Sequence, residues 1–114
     1  MTWEEKLAIY DEIVSLTKTI KRLGKTMPYT AENTYMFSML NKAGQLGIRL
    51  SKEDRSLFYQ KYTDEPFISY GATIKDYVLI PEEVFLHQKE EVAECLLKGF
   101  AYVKSLKPQP RKKK

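Results

Sequence analysis

Gln45-Leu46-Gly47-Ile48-Arg49-Leu50, followed at once by Ser51-Lys52-Glu53-Asp54, is the stretch that decides the fold. Successive side chains of an extended chain point to opposite faces. Leu46, Ile48 and Leu50 therefore share one face, and Gln45, Gly47 and Arg49 the other. One face is apolar and the other is not, so this is a half-buried strand. Ser51 with Asp54 is a helix-capping signal, which predicts a short helix over residues 52–61 with Leu57 and Phe58 turned to the sheet. Upstream, Asn41-Lys42-Ala43-Gly44 reads as a turn with glycine where φ can be positive. Asn33 to Leu40, rich in Tyr, Phe and Met, is then the strand that completes a hairpin. Gly24 to Thr30 reads as a further short strand, at an edge or interrupted at Pro28, which has no amide donor.

The flanks extend this pattern. Thr2 followed by Glu5 is a capping box, so a helix starts at Trp3. Trp3, Leu7, Tyr10, Val14 and Thr17 share its apolar face, widened by Ile9, Ile13 and Leu16. Phe67 to Tyr70 and Asp76 to Ile80 read as two strands about a turn at Gly71. Pro81 suits the first position of a short helix reaching His87. A long helix follows over residues 89–106, with Val92, Leu96, Gly99, Val103 and Leu106 as its stripe and Phe100 alongside. Glycine in mid-helix costs about 1 kcal/mol against alanine, so Gly99 predicts close approach to another backbone. The fold class is α+β: two layers, an antiparallel five-stranded sheet with helices on one face, in the order α-βββ-α-ββ-α.

At 114 residues the chain is one domain, because two halves would each be too small to bury a core. The net charge of +4 resides in the tail. Lys107 to Lys114 hold five basic groups and no acidic one, leaving 14 basic and 15 acidic groups in the rest. The expected division is a domain over residues 1–106 and a mobile basic tail over 107–114, kept out of helix by Pro108 and Pro110. No apolar run reaches the roughly 20 residues of a membrane span, and the start, Met1-Thr2-Trp3-Glu4-Glu5, has no signal-peptide plan. A lone cysteine, Cys95, excludes a disulfide within the chain, and the default compartment is the cytoplasm.

Chemistry-bearing constellations are sparse. Of five acidic doublets, Glu4/Glu5, Glu53/Asp54, Glu82/Glu83 and Glu90/Glu91 fall in the first turn of expected helices, where the helix dipole accounts for them. The fifth, Asp64/Glu65, falls in a loop. Neighbouring helical residues diverge and do not converge on one substrate. His87 and Cys95 are the only imidazole and thiol. On one helix, eight residues separate them by about 12 Å, too far for a nucleophile–base pair. One His and one Cys cannot hold zinc. There is no Walker loop, no G-x-G-x-x-G and no G-x-S-x-G. No catalytic residue, metal or cofactor is expected. Eight tyrosines are the positive signal, since tyrosine is enriched at protein interfaces. Tyr29, Tyr35, Tyr70 and Tyr77 fall on or beside strands, and with Arg49 and Lys75 they form the candidate contact surface. Arg111, Lys112, Lys113 and Lys114 are the candidate nucleic-acid contacts, through phosphate.

Several segments together resemble a known family. Lys25-Thr26-Met27 with Asn33-Thr34-Tyr35-Met36-Phe37, and Leu46-Gly47-Ile48-Arg49-Leu50 before an acidic-capped helix, are similar to the first half of the N-terminal domain of TfoX/Sxy proteins. Pro66-Phe67, Tyr70-Gly71, Lys75-Asp76-Tyr77-Val78 and Ile80-Pro81 resemble its second half. Ala101-Tyr102-Val103-Lys104-Ser105-Leu106-Lys107-Pro108 resembles its ending most specifically. The chain departs from many members at Met27-Pro28-Tyr29-Thr30, where they have Met-Phe-Gly-Gly, and at Gly71-Ala72-Thr73-Ile74, where they have Gly-Arg-Pro-Met. A stand-alone domain is expected, because the full regulators carry a second, helical domain where this sequence has its basic tail. The resemblance implies a two-layer α+β domain and non-enzymatic work. Its best-known members regulate transcription of DNA-uptake genes in bacteria. The expected function is thus a non-catalytic bacterial interaction domain acting on a protein partner or as a homodimer. A nucleic-acid accessory protein using its basic tail is the first alternative, and a small-molecule-binding domain the second.

Overall fold

Thr2 and Glu5 cap each other. The Glu5 carboxylate accepts from the Thr2 amide at 2.8 Å and the Thr2 hydroxyl accepts from the Glu5 amide at 3.1 Å. Two of the donors that a helix start leaves orphaned are satisfied in this way, and α1 runs from there over Trp3–Thr17. The structure is a computed structural model that describes residues 1–62 and 64–110. After α1 come β1 (Tyr29–Glu32), β2 (Tyr35–Leu40), β3 (Leu46–Arg49), α2 (Lys52–Lys61), β4 (Pro66–Ser69), β5 (Ala72–Leu79), α3 (Glu82–His87) and α4 (Lys89–Ser105). The strands form one antiparallel sheet in the order β1-β2-β3-β5-β4. This is the α+β layout expected from the sequence, with the helices on one face. No helix among the described residues is long and apolar enough to cross a membrane.

The core lies between that face and the helices. Leu46, Ile48 and Leu50 of the diagnostic stretch meet Tyr10, Ile13 and Val14 of α1, Phe58 of α2, Phe85 of α3 and Val92, Leu96 and Val103 of α4. Burying a side chain of this size contributes about 1.5–3 kcal/mol. Inside this core the Tyr10 and Ser38 hydroxyls share a 2.5 Å hydrogen bond, and Thr30 and Ser38 share another of the same length. Burial pushes the Tyr10 phenol far above its usual range, while these bonds act the other way. Gly99 performs the role its position predicts. A Cβ there would sit 2.7 Å from the Arg49 carbonyl oxygen and 3.3 Å from carbons of Ile48 and Phe37. The α4 backbone thus lies directly on β3.

Three local expectations change. The first hairpin turns at Asn33-Thr34, both with positive φ (54° and 71°), so Asn33 and Thr34 are not strand and β1 is Tyr29–Glu32. Phe37 is an extra residue in β2: Thr30 pairs with Ser38 and Ala31 with Met36. The bulge turns both Phe37 and Ser38 toward the helices, sends Met39 to the other face, and returns Leu40 to the core. Leu57, expected to face the sheet, is 57% exposed, and α2 reaches the core through the buried Phe58 with the half-buried Tyr59 beside it. β5 begins at Ala72 rather than Asp76, because Tyr70-Gly71 is a two-residue turn with both φ positive and Asp76 (φ 70°) sits in an irregular part of the strand.

Candidate functional site: the Arg49 corner of the open sheet face

The face of the sheet away from the helices has its own small apolar cluster of Met39, Phe67 and Tyr77, with Met27, Tyr29, Ile74 and Leu79 against it. Its register follows from the alternation. Arg49 pairs with Tyr77 across β3 and β5, and Gly47 with Leu79. Gly47 has no side chain to lift a neighbour, and the Phe67 ring presses onto it: a Cβ would come within 2.5 Å of that ring. Phe67 then stacks on Tyr77, with centroids 5.7 Å apart and planes 18° from parallel.

The stack continues into a cation. The Arg49 guanidinium carbon lies 5.9 Å from the Tyr77 ring centre and 5.6 Å from that of Tyr35. Phe67, Tyr77, Arg49 and Tyr35 therefore form a ladder from β4 to β2. Each cation–π contact is worth about 0.5–1 kcal/mol at an exposed site and about 2 when desolvated. A guanidinium carries five N–H donors in one plane. Among the described residues, none of Arg49's donors has a hydrogen-bond acceptor and no carboxylate forms an ion pair with it. Its Nε is buried without a partner, as is the Tyr77 hydroxyl. Burial pushes the Tyr77 phenol up, and the Arg49 charge opposes that shift. Asp76, next in sequence to Tyr77, pairs with Arg55 at 3.3 Å.

Tyr35 also joins this corner to the C-terminal segment. Its hydroxyl donates to the Lys107 carbonyl at 2.6 Å. The Gln109 amide donates to the Thr34 hydroxyl at 2.8 Å, and the Asn33 side-chain amide donates to the carbonyls of Val103 and Leu106. The start of the expected tail is thus hydrogen-bonded to the β1–β2 turn as far as Gln109. Arg111, Lys112, Lys113 and Lys114 lie outside the described residues.

Of the six candidate contact residues, Tyr35, Arg49 and Tyr77 are brought together. Tyr77 is only 5% exposed, so it supports Arg49 from inside and does not itself offer a surface. Tyr29 packs beside the same cluster. Tyr70, 76% exposed at the β4–β5 turn, and Lys75, exposed on β5, stand apart from the ladder. Sequence reasoning missed Phe67 and the anchoring pair Asn33 and Thr34. A glycine inside an alternating strand was a usable signal for Phe67, since it marks close approach.

The other groups have different surroundings. Cys95 is half-buried in a cleft of about 180 Å³ between α2 and α4, among Leu50, Phe58, Val84 and Val92. Burial pushes its thiol up to about 11, the opposite of an activated nucleophile. Lys61 and Glu91 pair at the mouth of this cleft. His87 is exposed at the end of α3. Among the described residues no three His, Cys, Asp or Glu side chains converge on a metal-sized site.

The fold and this corner define a two-layer α+β domain with one helix-free sheet face. No family model matches the chain, and no curated protein matches it.

Proposed function

We propose that this chain is a non-catalytic interaction domain of the TfoX N-terminal type, acting in the bacterial cytoplasm, with a link to transcriptional regulation. It would meet a protein partner or a second copy through its helix-free sheet face. The observation that carries this reading is the Phe67–Tyr77–Arg49–Tyr35 ladder. It places the half-buried Arg49 cation and Tyr35 ring over the buried Phe67 and Tyr77 rings, on the one face that no helix covers. Rigid aromatic and arginine side chains are the residues that dominate binding energy at interfaces.

The test is a comparison of the native chain with a variant in which Tyr35, Arg49 and Tyr70 are replaced by alanine. Light scattering gives the mass in solution, and pull-down from the native cell gives partner recovery. The reading expects loss of dimer mass or of a partner while the fold persists by circular dichroism. Unchanged mass and unchanged recovery with an intact fold would refute it.

The alternative of a nucleic-acid accessory protein gains one specific support. Asn33, Thr34 and Tyr35 hydrogen-bond the chain as far as Gln109, so the basic run starts at Lys107 beside the Arg49 corner.

A further inference from the structure

We infer that the cleft between α2 and α4 is a binding site for a small aromatic molecule that carries a hydrogen-bond donor, of the size and polarity of indole. The inference goes beyond the interaction-domain reading and does not depend on it, because the cleft lies on the helix side of the sheet and the helix-free face on the other.

Four observations lead there. First, the sheet spaces the two helices. α2 rests on β5, while α4 rests on β1, β2 and β3 and against α1 and α3. The gap between them has an apolar floor of Leu50, Phe58, Ile80, Val84 and Val92, each less than a tenth exposed. Second, its volume of about 180 Å³ suits one small ring system. An apolar cavity of about 150 Å³ takes up benzene. Third, apolar surface is left at the mouth, where Leu57 is 57% exposed. A ligand reaching from the floor to Leu57 takes this surface out of water. The Tyr62 ring, tilted against Phe58 with centroids 4.8 Å apart, supplies an aromatic wall. Fourth, the charged groups lie above the floor, and acids outnumber cations: Asp54, Glu91 and Glu94 against Lys61 and Lys98. Glu91 pairs with Lys61, their side chains 32% and 62% exposed. An exposed ion pair is weak, so Glu91 exchanges it for a ligand N–H at little cost. The bond from Lys61 holds the Glu91 carboxyl below its usual range, which keeps it an acceptor at neutral pH. The Tyr62 hydroxyl lies buried close to this pair, yet makes no hydrogen bond of normal geometry. An apolar floor under a few convergent polar groups is the pattern of a small-molecule site.

The experiment uses the full chain, with indole as the probe and Cys95, which lines the cleft, as the reporter. Alkylation of Cys95 by iodoacetamide at pH 8 is followed by mass spectrometry with and without indole. A ligand of this size is expected to bind with a Kd of about 1 mM. Indole at 5 mM should therefore slow the alkylation about sixfold. It should also shift the amide signals of Leu57, Phe58, Val92 and Cys95 in nuclear magnetic resonance spectra. Benzofuran has the same shape and no N–H, and is expected to bind about tenfold more weakly. Val84→Phe adds a ring to the floor and should abolish the protection by indole. Leu57→Trp, at an exposed position where the fold is not at stake, should abolish it by filling the mouth. Leu97→Trp, exposed on α4 outside the cleft, should keep it. Absence of both protection and shifts at 5 mM indole overturns the inference. Equal binding of indole and benzofuran also overturns it, as does protection that persists in Leu57→Trp and Val84→Phe. The interaction-domain reading is judged separately. A loss of dimer mass or partner recovery on Arg49→Gln upholds that reading whatever indole does.

Discussion

Gly99→Ala places a methyl group where α4 rests on β3. The new Cβ would lie 2.7 Å from the Arg49 carbonyl oxygen, well inside contact distance, and 3.3 Å from carbons of Ile48 and Phe37. The oxygen belongs to the backbone of a central strand and cannot swing aside as a side-chain tip could. Two effects oppose each other. Alanine gains about 1 kcal/mol over glycine in a helix interior. Overpacking a close-packed contact costs about 1–3 kcal/mol, and a clash with backbone belongs at the upper end. The net expectation is destabilisation by about 1–2 kcal/mol, or roughly 4–8 °C in Tm for a domain of this size. Urea unfolding followed by circular dichroism gives the midpoint, and a shifted midpoint with an unchanged m-value reports a change in stability. Lys98→Ala, on the exposed side of α4, is the control and should stay within about 0.5 kcal/mol of the native chain. If Gly99→Ala instead stabilises by about 1 kcal/mol, as at a free helical position, then α4 does not lie on β3 at this distance. The packing that fixes Arg49's backbone would then be wrong.

Further outcomes follow from the buried hydroxyls, the anchor and the thiol. Tyr77→Phe removes a buried hydroxyl with no partner and should stabilise by about 1 kcal/mol in urea unfolding, whereas Tyr10→Phe breaks the bond to Ser38 and should destabilise by about as much. Tyr10 and Tyr77 both have phenols pushed up from 10.0 by burial. Their contribution is therefore whole below pH 10 and is lost as pH rises above it, by about 1.4 kcal/mol per pH unit for each tyrosine. A Tyr10→Phe variant should show the shallower alkaline fall in thermal scans, and equal falls would contradict the assignment. Asn33→Gly retains the positive φ but deletes two bonds to the end of α4, so amide exchange at Gln109 should accelerate severalfold while the core amides stay protected. Cys95, with its thiol pushed up from 9.0 to about 11, should react with iodoacetamide at pH 8 about a hundredfold more slowly than a free thiol. A rate equal to that of glutathione would show the α2–α4 cleft open to solvent.

The elements that could be read in the sequence were those with strong local signals. Thr2 with Glu5, Ser51 with Asp54, and the alternation of Leu46, Ile48 and Leu50 each satisfy a donor or bury a face within a few residues. Gly99 was legible because an unfavourable residue in mid-helix needs a reason outside the helix. The Asn33-Thr34 turn was not, because threonine is disfavoured at φ 71° and Asn-Thr lacks the usual glycine signal. Nor was the bulge at Phe37, which depends on which residue of β1 faces it. The candidate site divides the same way. Tyr35, Arg49 and Tyr77 stood out as strand tyrosines and an outward cation. Their convergence depends on long-range pairing of β3 with β5 and on β4 folding Phe67 over Gly47. A tyrosine's residue type also does not reveal its depth, which is why Tyr77 proved to be support and Tyr70 surface.

The most direct test of the Arg49 corner is light scattering and partner pull-down of the full chain beside its Arg49→Gln variant, with the fold followed by circular dichroism. The account predicts that Arg49→Gln lowers the dimer mass or the recovery of a protein partner while the fold persists. A variant that keeps both, with an intact fold, would contradict it.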